Sequence, residues 1–158
     1  PSTSTFVLIY DLNPSSVNSI RIYSMLDKKN QPHILSACIR VGGKGSTTDN
    51  FHSGGVAYPI DVDHGVVCGQ GSNMVGENFL YHPGTEAKVI GFEIPRWNEL
   101  VSWLFKAAVK IEKARMIAWD VAVLEDGFEL IEANYNGDPG VMQTPLQQGT
   151  LLKIKEYM

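Results

Sequence analysis

The chain has 158 residues, enough for one domain with a core of its own, and its 44% hydrophobic and 19% charged content is ordinary for a globular protein. A net charge of −4 argues against a general nucleic-acid or membrane-surface binder, since both favour a basic face. No run approaches the roughly eighteen apolar residues of a membrane span, and the start has no basic residue before its apolar run, so it is not a signal peptide.

Phe6 to Tyr10 is a short apolar run with no preceding turn or cap. It predicts a strand belonging to a sheet begun earlier, so the chain reads as the C-terminal part of a longer protein. After the loop Asn13-Pro14-Ser15-Ser16, Val17 to Met25 alternates as a half-buried strand. Asp27 to Asn30 turns the chain, and His33 to Val41 reads as the antiparallel partner. Arg21 and Arg40 then either point into one cleft or are surface arginines paired with solvent or a carboxylate.

Gly42 to Gly55, GGKGSTTDNFHSGG, is rich in residues that tolerate positive φ and close backbone approach. Lys44 adds a cation, and Ser46, Thr47 and Thr48 add hydroxyls. The loop matches neither common nucleotide-loop motif. It is either a cradle whose backbone N–H groups meet phosphate oxygens or a mobile linker. Tyr58 to Cys68 predicts a hairpin turning at His64-Gly65. Asp61 and Asp63 flank that turn, as a second metal site or as solvent-facing carboxylates. His82-Pro83-Gly84-Thr85 is a turn, with His82 facing substrate or bonding the backbone.

Trp97 or Asn98 opens one long helix, to about Ala114. Leu100, Val101, Leu104, Ala107, Ala108 and Ile111 lie on one side at helical spacing. Trp119 to Asn134 then reads as two strands joined by a three-residue loop, Glu125-Asp126-Gly127. This predicts Leu124 opposite Phe128 and Asp120 opposite Glu132. Asp120, Glu132 and Asn134 then share a face with Leu124, Phe128 and Leu130, and Trp119, Val121, Val123, Ile131 and Ala133 take the other. Opposed carboxylates repel, unless a cation sits between them or the pair lies at a solvated sheet end. Two carboxylates and an amide oxygen suit Mg²⁺ or Mn²⁺ better than Zn²⁺. On this reading Asp120→Asn or Glu132→Gln relieves repulsion and spares folding. Tyr135 to Gly149 reads as a loop and Leu151 to Met158 as a short helix.

Cys38 and Cys68 form no C-x-x-C and read as free thiols in a reducing cytoplasm. His33, His52, His64 and His82 lack zinc-ligand spacing. Local strand pairing with a single main helix gives an α+β class, a mainly antiparallel sheet with one long helix packed on it.

Asp120, the hairpin, Glu132-Ala133-Asn134 and Asp138-Pro139-Gly140 resemble the metal-binding end of the ATP-grasp superfamily. Ser16, Asn18 and Arg21, the strand ending at Arg40, Asp49-Asn50 with Gly54-Gly55, His82-Pro83, and Ile94-Pro95 with Trp97 extend the likeness. In that order they resemble the sugar-transfer-associated ATP-grasp family, over nearly the whole chain. The resemblance implies the C-terminal subdomain of an ATP-grasp fold, as one domain over residues 1–158. It implies ATP and Mg²⁺ (or Mn²⁺) as cofactors, with Asp120, Glu132 and Asn134 as metal ligands. Arg21 and Arg40 would hold the transferred phosphoryl group, and Lys44, Asn50, Gly54 and Gly55 would line the nucleotide. An upstream subdomain would supply the phosphate-binding lysines and the adenine hinge. Ala118 stands where D-alanine ligase-like members carry an arginine.

The implied activity is an ATP-dependent ligase that activates a carboxylate through an acyl phosphate. Its acceptor would be a small molecule or saccharide-linked group, in cell-surface polysaccharide biosynthesis. The alternatives are an ATP-grasp kinase, a non-catalytic scaffold that keeps the fold, and a carbohydrate-binding β domain using Trp97, Trp103 and Trp119.

Overall fold

A computed structural model describes residues 5–111, 113–124 and 127–158. In chain order these form α1 (Thr5–Leu12), β1 (Ser19–Leu26), β2 (Pro32–Val41), a 3-10 turn (Phe51–Ser53), β3 (Val56–Asp61), β4 (Val66–Val67), β5 (Gly71–Ser72) and β6 (Asn78–Phe79). They continue with α2 (Trp97–Ala108), β7 (Met116–Leu124), β8 (Gly127–Asn134), α3 (Pro139–Gln143) and α4 (Leu151–Tyr157). The strands make one sheet in the order β6-β5-β3-β2-β1-β7-β8, with β4 paired to β3. Every ladder in it is antiparallel, as the local pairing predicts.

Strand alternation divides the sheet into two unlike faces. Ile20, Ile22, Ile39, Val41, Tyr58, Trp119, Val121 and Val123 point one way and form the main core. α2 covers this face, with Trp97, Leu100, Leu104 and Ala108 buried at spacings of three and four. The opposite face carries Ser19, Arg21, Tyr23, Cys38, Arg40 and Asp120. A smaller apolar cluster, Cys38, Phe51, Ala57 and Val141, seats α3 on that polar face.

Four expectations need correction. Phe6 to Tyr10 lies in a helix, α1, whose Ile9 and Leu12 join the core. The run is apolar on all sides and carries no period to separate helix from strand. Asn13-Pro14 ends it, because the residue before proline leaves the helical region. α2 stops at Ala108, short of Ala114, and Ile111 is exposed in the turns beyond it. The segment Tyr135 to Gly149 is not wholly loop, because Asp138 caps α3 by accepting the Gly140 N–H at 2.7 Å.

The β7–β8 register is the fourth. Leu124 faces Gly127 and Val123 faces Phe128, so Phe128 turns to the core face and Leu124 does not meet it. Glu125 and Asp126 of the expected loop lie outside the described residues. A bulge then intervenes: Val121 pairs with Leu130 and Asp120 with Glu132, leaving Ile131 as the extra residue. The bulge cancels the slip, so Asp120 and Glu132 still stand opposite each other.

Candidate active site

Register builds the site. Cys38, Arg21, Asp120 and Glu132 stand side by side on β2, β1, β7 and β8. One row along are Arg40 and Ser19, and on the other side Tyr23, Ala118 and Asn134. One face therefore carries two arginines, two carboxylates and an amide on adjacent strands.

Asp120 is buried and takes a two-pronged bond from Arg21, from Nε to Oδ1 and from Nη2 to Oδ2, the latter at 2.6 Å. Arg40 Nη2 lies 3.2 Å from the same Oδ2. Arg40 also gives Nη2 to the Ser19 hydroxyl at 2.9 Å and approaches Asp49 Oδ1 at 3.4 Å. Asp49 Oδ2 accepts the Ser19 N–H at 2.8 Å and the Ser19 hydroxyl. Arg21 Nη1 reaches the Tyr23 hydroxyl at 3.4 Å, and Tyr23 donates to the Asp138 carbonyl at 2.7 Å. A continuous polar chain thus crosses the sheet from the Gly-rich loop to the loop that starts α3.

Burial works against the charge on Arg21, yet the hydrogen bond and negative charge of Asp120 outweigh it and raise the guanidinium pKa. Burial raises the Asp49 carboxyl, against the pull of Arg40 and Ser19. Burial also pushes the Tyr23 hydroxyl and the Cys38 thiol each up to about 12.

Glu132 differs from Asp120 in every respect. It is exposed, and it makes no hydrogen bond or ion pair among the described residues. Asn134 is half-buried and its amide is equally free. These donors fit a hard divalent ion: Glu132 and Asn134 keep their oxygens, and Asp120 Oδ1 retains a lone pair beyond its Arg21 bond, while Oδ2 faces both arginines. Among the described residues no three His, Cys, Asp or Glu side chains cluster, so the third protein ligand would be the Asn134 amide.

The Gly-rich loop is built on itself. A Cβ at Gly42 would meet Ser16 Oγ at 2.5 Å, one at Gly43 would meet Gly54 O at 2.7 Å, and one at Gly55 would meet Asp49 O at 2.6 Å. Those glycines permit the loop's own close packing. Asn50 caps the 3-10 turn by accepting the His52 N–H at 3.0 Å. Asn13 donates to Gly42 O at 2.7 Å, and Ser16 donates to Asn18 at 2.7 Å, so this part of the motif holds the loop's base. Lys44 is exposed at the loop tip, with no partner among the described residues. The loop and the metal-ligand triad flank the same face without a direct contact.

His82 is fully buried, its Nδ1 3.1 Å from the Thr85 hydroxyl, and burial lowers its pKa. Asp61 holds its own turn through the Asp63 N–H at 3.0 Å and His64 Nδ1 at 2.7 Å. Trp97 and Trp119 are buried, with indole N–H groups given to Val62 O and the Ser24 hydroxyl, and neither offers a face to a sugar. Sequence reasoning left Ser19, Tyr23 and Asp49 out of the site. Ser19 and Tyr23 alternate with Arg21 along one strand, a signal that places them on its face.

A mostly antiparallel sheet with few helices is consistent with an ATP-grasp domain. The chain matches the sugar-transfer associated ATP-grasp family over residues 6–156 and belongs to that family. No match is found among curated proteins or among solved structures. Membership implies ATP binding and ligase-like chemistry in a sugar-transfer setting. No helix among the described residues is long and apolar enough to cross a membrane.

Proposed function

We propose that this chain supplies the metal-binding end of an ATP-dependent ligase, with Asp120, Glu132 and Asn134 holding Mg²⁺ or Mn²⁺ against nucleotide phosphates. The observation that carries this is Glu132: an exposed carboxylate without a partner, set directly across a ladder from a buried one. Arg21 and Arg40 already answer the charge of Asp120, so the Glu132 carboxylate balances nothing in the fold and stands free for a ligand. The bound ion would neutralise the phosphate charge that opposes nucleophilic attack.

The chain's own residues divide the remaining work. Arg21 fixes Asp120 through two parallel bonds and sets where its free lone pairs point. Arg40, held by Ser19 and Asp49, keeps N–H groups for a phosphoryl oxygen. Lys44 would bring a cation to the nucleotide, and Asn50, Gly54 and Gly55 would line it. In the proposed reaction an acceptor carboxylate oxygen attacks the γ-phosphorus and ADP leaves. An amine or thiol then attacks the acyl phosphate carbonyl and releases phosphate. The acceptor is a small molecule or saccharide-linked group. The adenine hinge and phosphate-binding lysines belong to another ATP-grasp segment, so this chain by itself binds ATP weakly.

The test is Glu132→Gln in the full-length protein. Mg²⁺-dependent ATP consumption should collapse while the unfolding temperature holds. Normal turnover in that variant would contradict the proposal.

A further inference from the structure

A second concavity lies on the polar face, on the far side of α3 from Asp120. Its volume is about 430 Å³, within the range of small-molecule sites. Four side-chain amides line it, Gln70, Asn78, Gln147 and Gln148, with Pro59 and Cys68 among the rest of its wall. None of its described lining residues carries a charge. Pro59 is the ladder partner of Cys38, which faces Arg21, which faces Asp120. At about 4.8 Å per strand the pocket wall stands roughly 14 Å from Asp120 on the same sheet face.

The amides are set in two ways. Ser72 is fully buried; its hydroxyl donates to Asn78 Oδ1 at 2.7 Å and accepts from Gln147 Nε2 at 3.3 Å. Gln147 also gives Nε2 to Thr144 O at 2.7 Å. These bonds leave the Asn78 amide N–H and the Gln147 carbonyl to the pocket. Gln70 and Gln148 are exposed and make no hydrogen bond among the described residues. The wall therefore alternates donors and acceptors over an apolar base that includes Pro59.

We propose that this pocket is an anchoring site for an uncharged saccharide. Each hydroxyl of a sugar is donor and acceptor together, and a side-chain amide answers both roles. The lining itself offers a phosphate or carboxylate no cation and a cation no carboxylate; Asp61 and Lys153 lie on the adjoining concavity that shares Cys68, Leu146 and Gln148. α3 stands between the pocket and Asp120, with Val141 packed in the Cys38 cluster, so the pocket holds a sugar and does not react with it. The proposal rests on the ligase reading and gives the uncharged sugar portion of a saccharide-linked acceptor a place to dock, and its test uses neither ATP nor metal.

Cys68 supplies the readout. It is exposed in the pocket wall, whereas Cys38 is buried, so a thiol reagent modifies Cys68 in the native protein. Glucose and N-acetylglucosamine are the probes; glucuronate, glucose 6-phosphate and glycerol are the comparisons. At a sugar concentration about tenfold above its Kd, modification should slow roughly elevenfold, the factor 1 + [L]/Kd. Gln70→Ala and Gln148→Ala should label at the native rate without sugar and lose the protection. Glu132→Gln, at an exposed side chain far from the pocket, should keep it, which separates failure here from failure of the ATP reading. No protection by either uncharged sugar, equal protection by the charged sugars or glycerol, or protection that survives both glutamine substitutions would overturn the proposal.

Discussion

Asp120→Asn is expected to destabilise the protein, against the simpler view that it relieves repulsion with Glu132. Asp120 is 4% exposed and answers two guanidinium groups, Arg21 through a paired bond and Arg40 at 3.2 Å. Arg21 cannot shed its proton, since Asp120 holds its pKa above the ordinary value despite burial. Removing the carboxylate charge therefore leaves a buried cation without its counterion, which costs about 3–5 kcal/mol. For a chain of this size each kcal/mol moves Tm by about 2–4 °C, so a fall on the order of 10 °C is expected. Arg21→Met should cost less, because Asp120 keeps Arg40, whereas Asp120→Asn strands Arg21 altogether. Glu132→Gln, exposed and without a partner, should stay within about 0.5 kcal/mol of the native protein. Urea unfolding followed by circular dichroism reads all three, with midpoint shifts at constant slope. Equal midpoints for Asp120→Asn and the native chain, or a larger loss for Arg21→Met, would refute the reasoning.

Three further outcomes follow from the same geometry. Thiol titration should count one reactive cysteine in the native chain and two in denaturant, because burial pushes the Cys38 thiol up to about 12. His82 is buried with a lowered pKa, so the unfolded state binds its proton more readily. Its contribution to stability should be complete above about pH 6.5 and decline as pH falls from there through the lower native value; His82→Asn should flatten that slope in denaturation curves. Gly137→Ala should cost about 1–3 kcal/mol in the same assay, since a Cβ there would meet the Ala118 Cβ at 2.4 Å and Tyr23 Cε1 at 2.8 Å.

The site was legible where alternation alone decides it. Alternation puts Arg21 and Arg40 on one face, where both reach the Asp120 carboxylate, a choice the sequence left open, and Asp120 meets Glu132 because a slip at the hairpin end and a bulge at Ile131 cancel. That cancellation cannot be read from residue types, since nothing in Leu130-Ile131 marks a bulge. The fold was legible where hydrophobic spacing has a clear period, as in α2, and failed where it has none, as in α1. The identity of the cation beside Asp120 was not legible either. Opposed carboxylates announce that a positive charge is near, but only the β1–β7 register shows that Arg21 is one such charge. Asp49 escaped for a related reason. It lies outside any strand, and its bonds to Ser19 and Arg40 span thirty and nine residues.

The most direct measurement is paramagnetic broadening by Mn²⁺ in NMR spectra of the isotopically labelled protein, with pyrophosphate standing in for nucleotide phosphates. The account predicts selective loss of signals from the Asn134 side chain and from the backbone around Asp120 and Glu132, abolished by Glu132→Gln in a protein that remains folded. Broadening centred on Asp61 and Asp63, or broadening that survives Glu132→Gln, would contradict it.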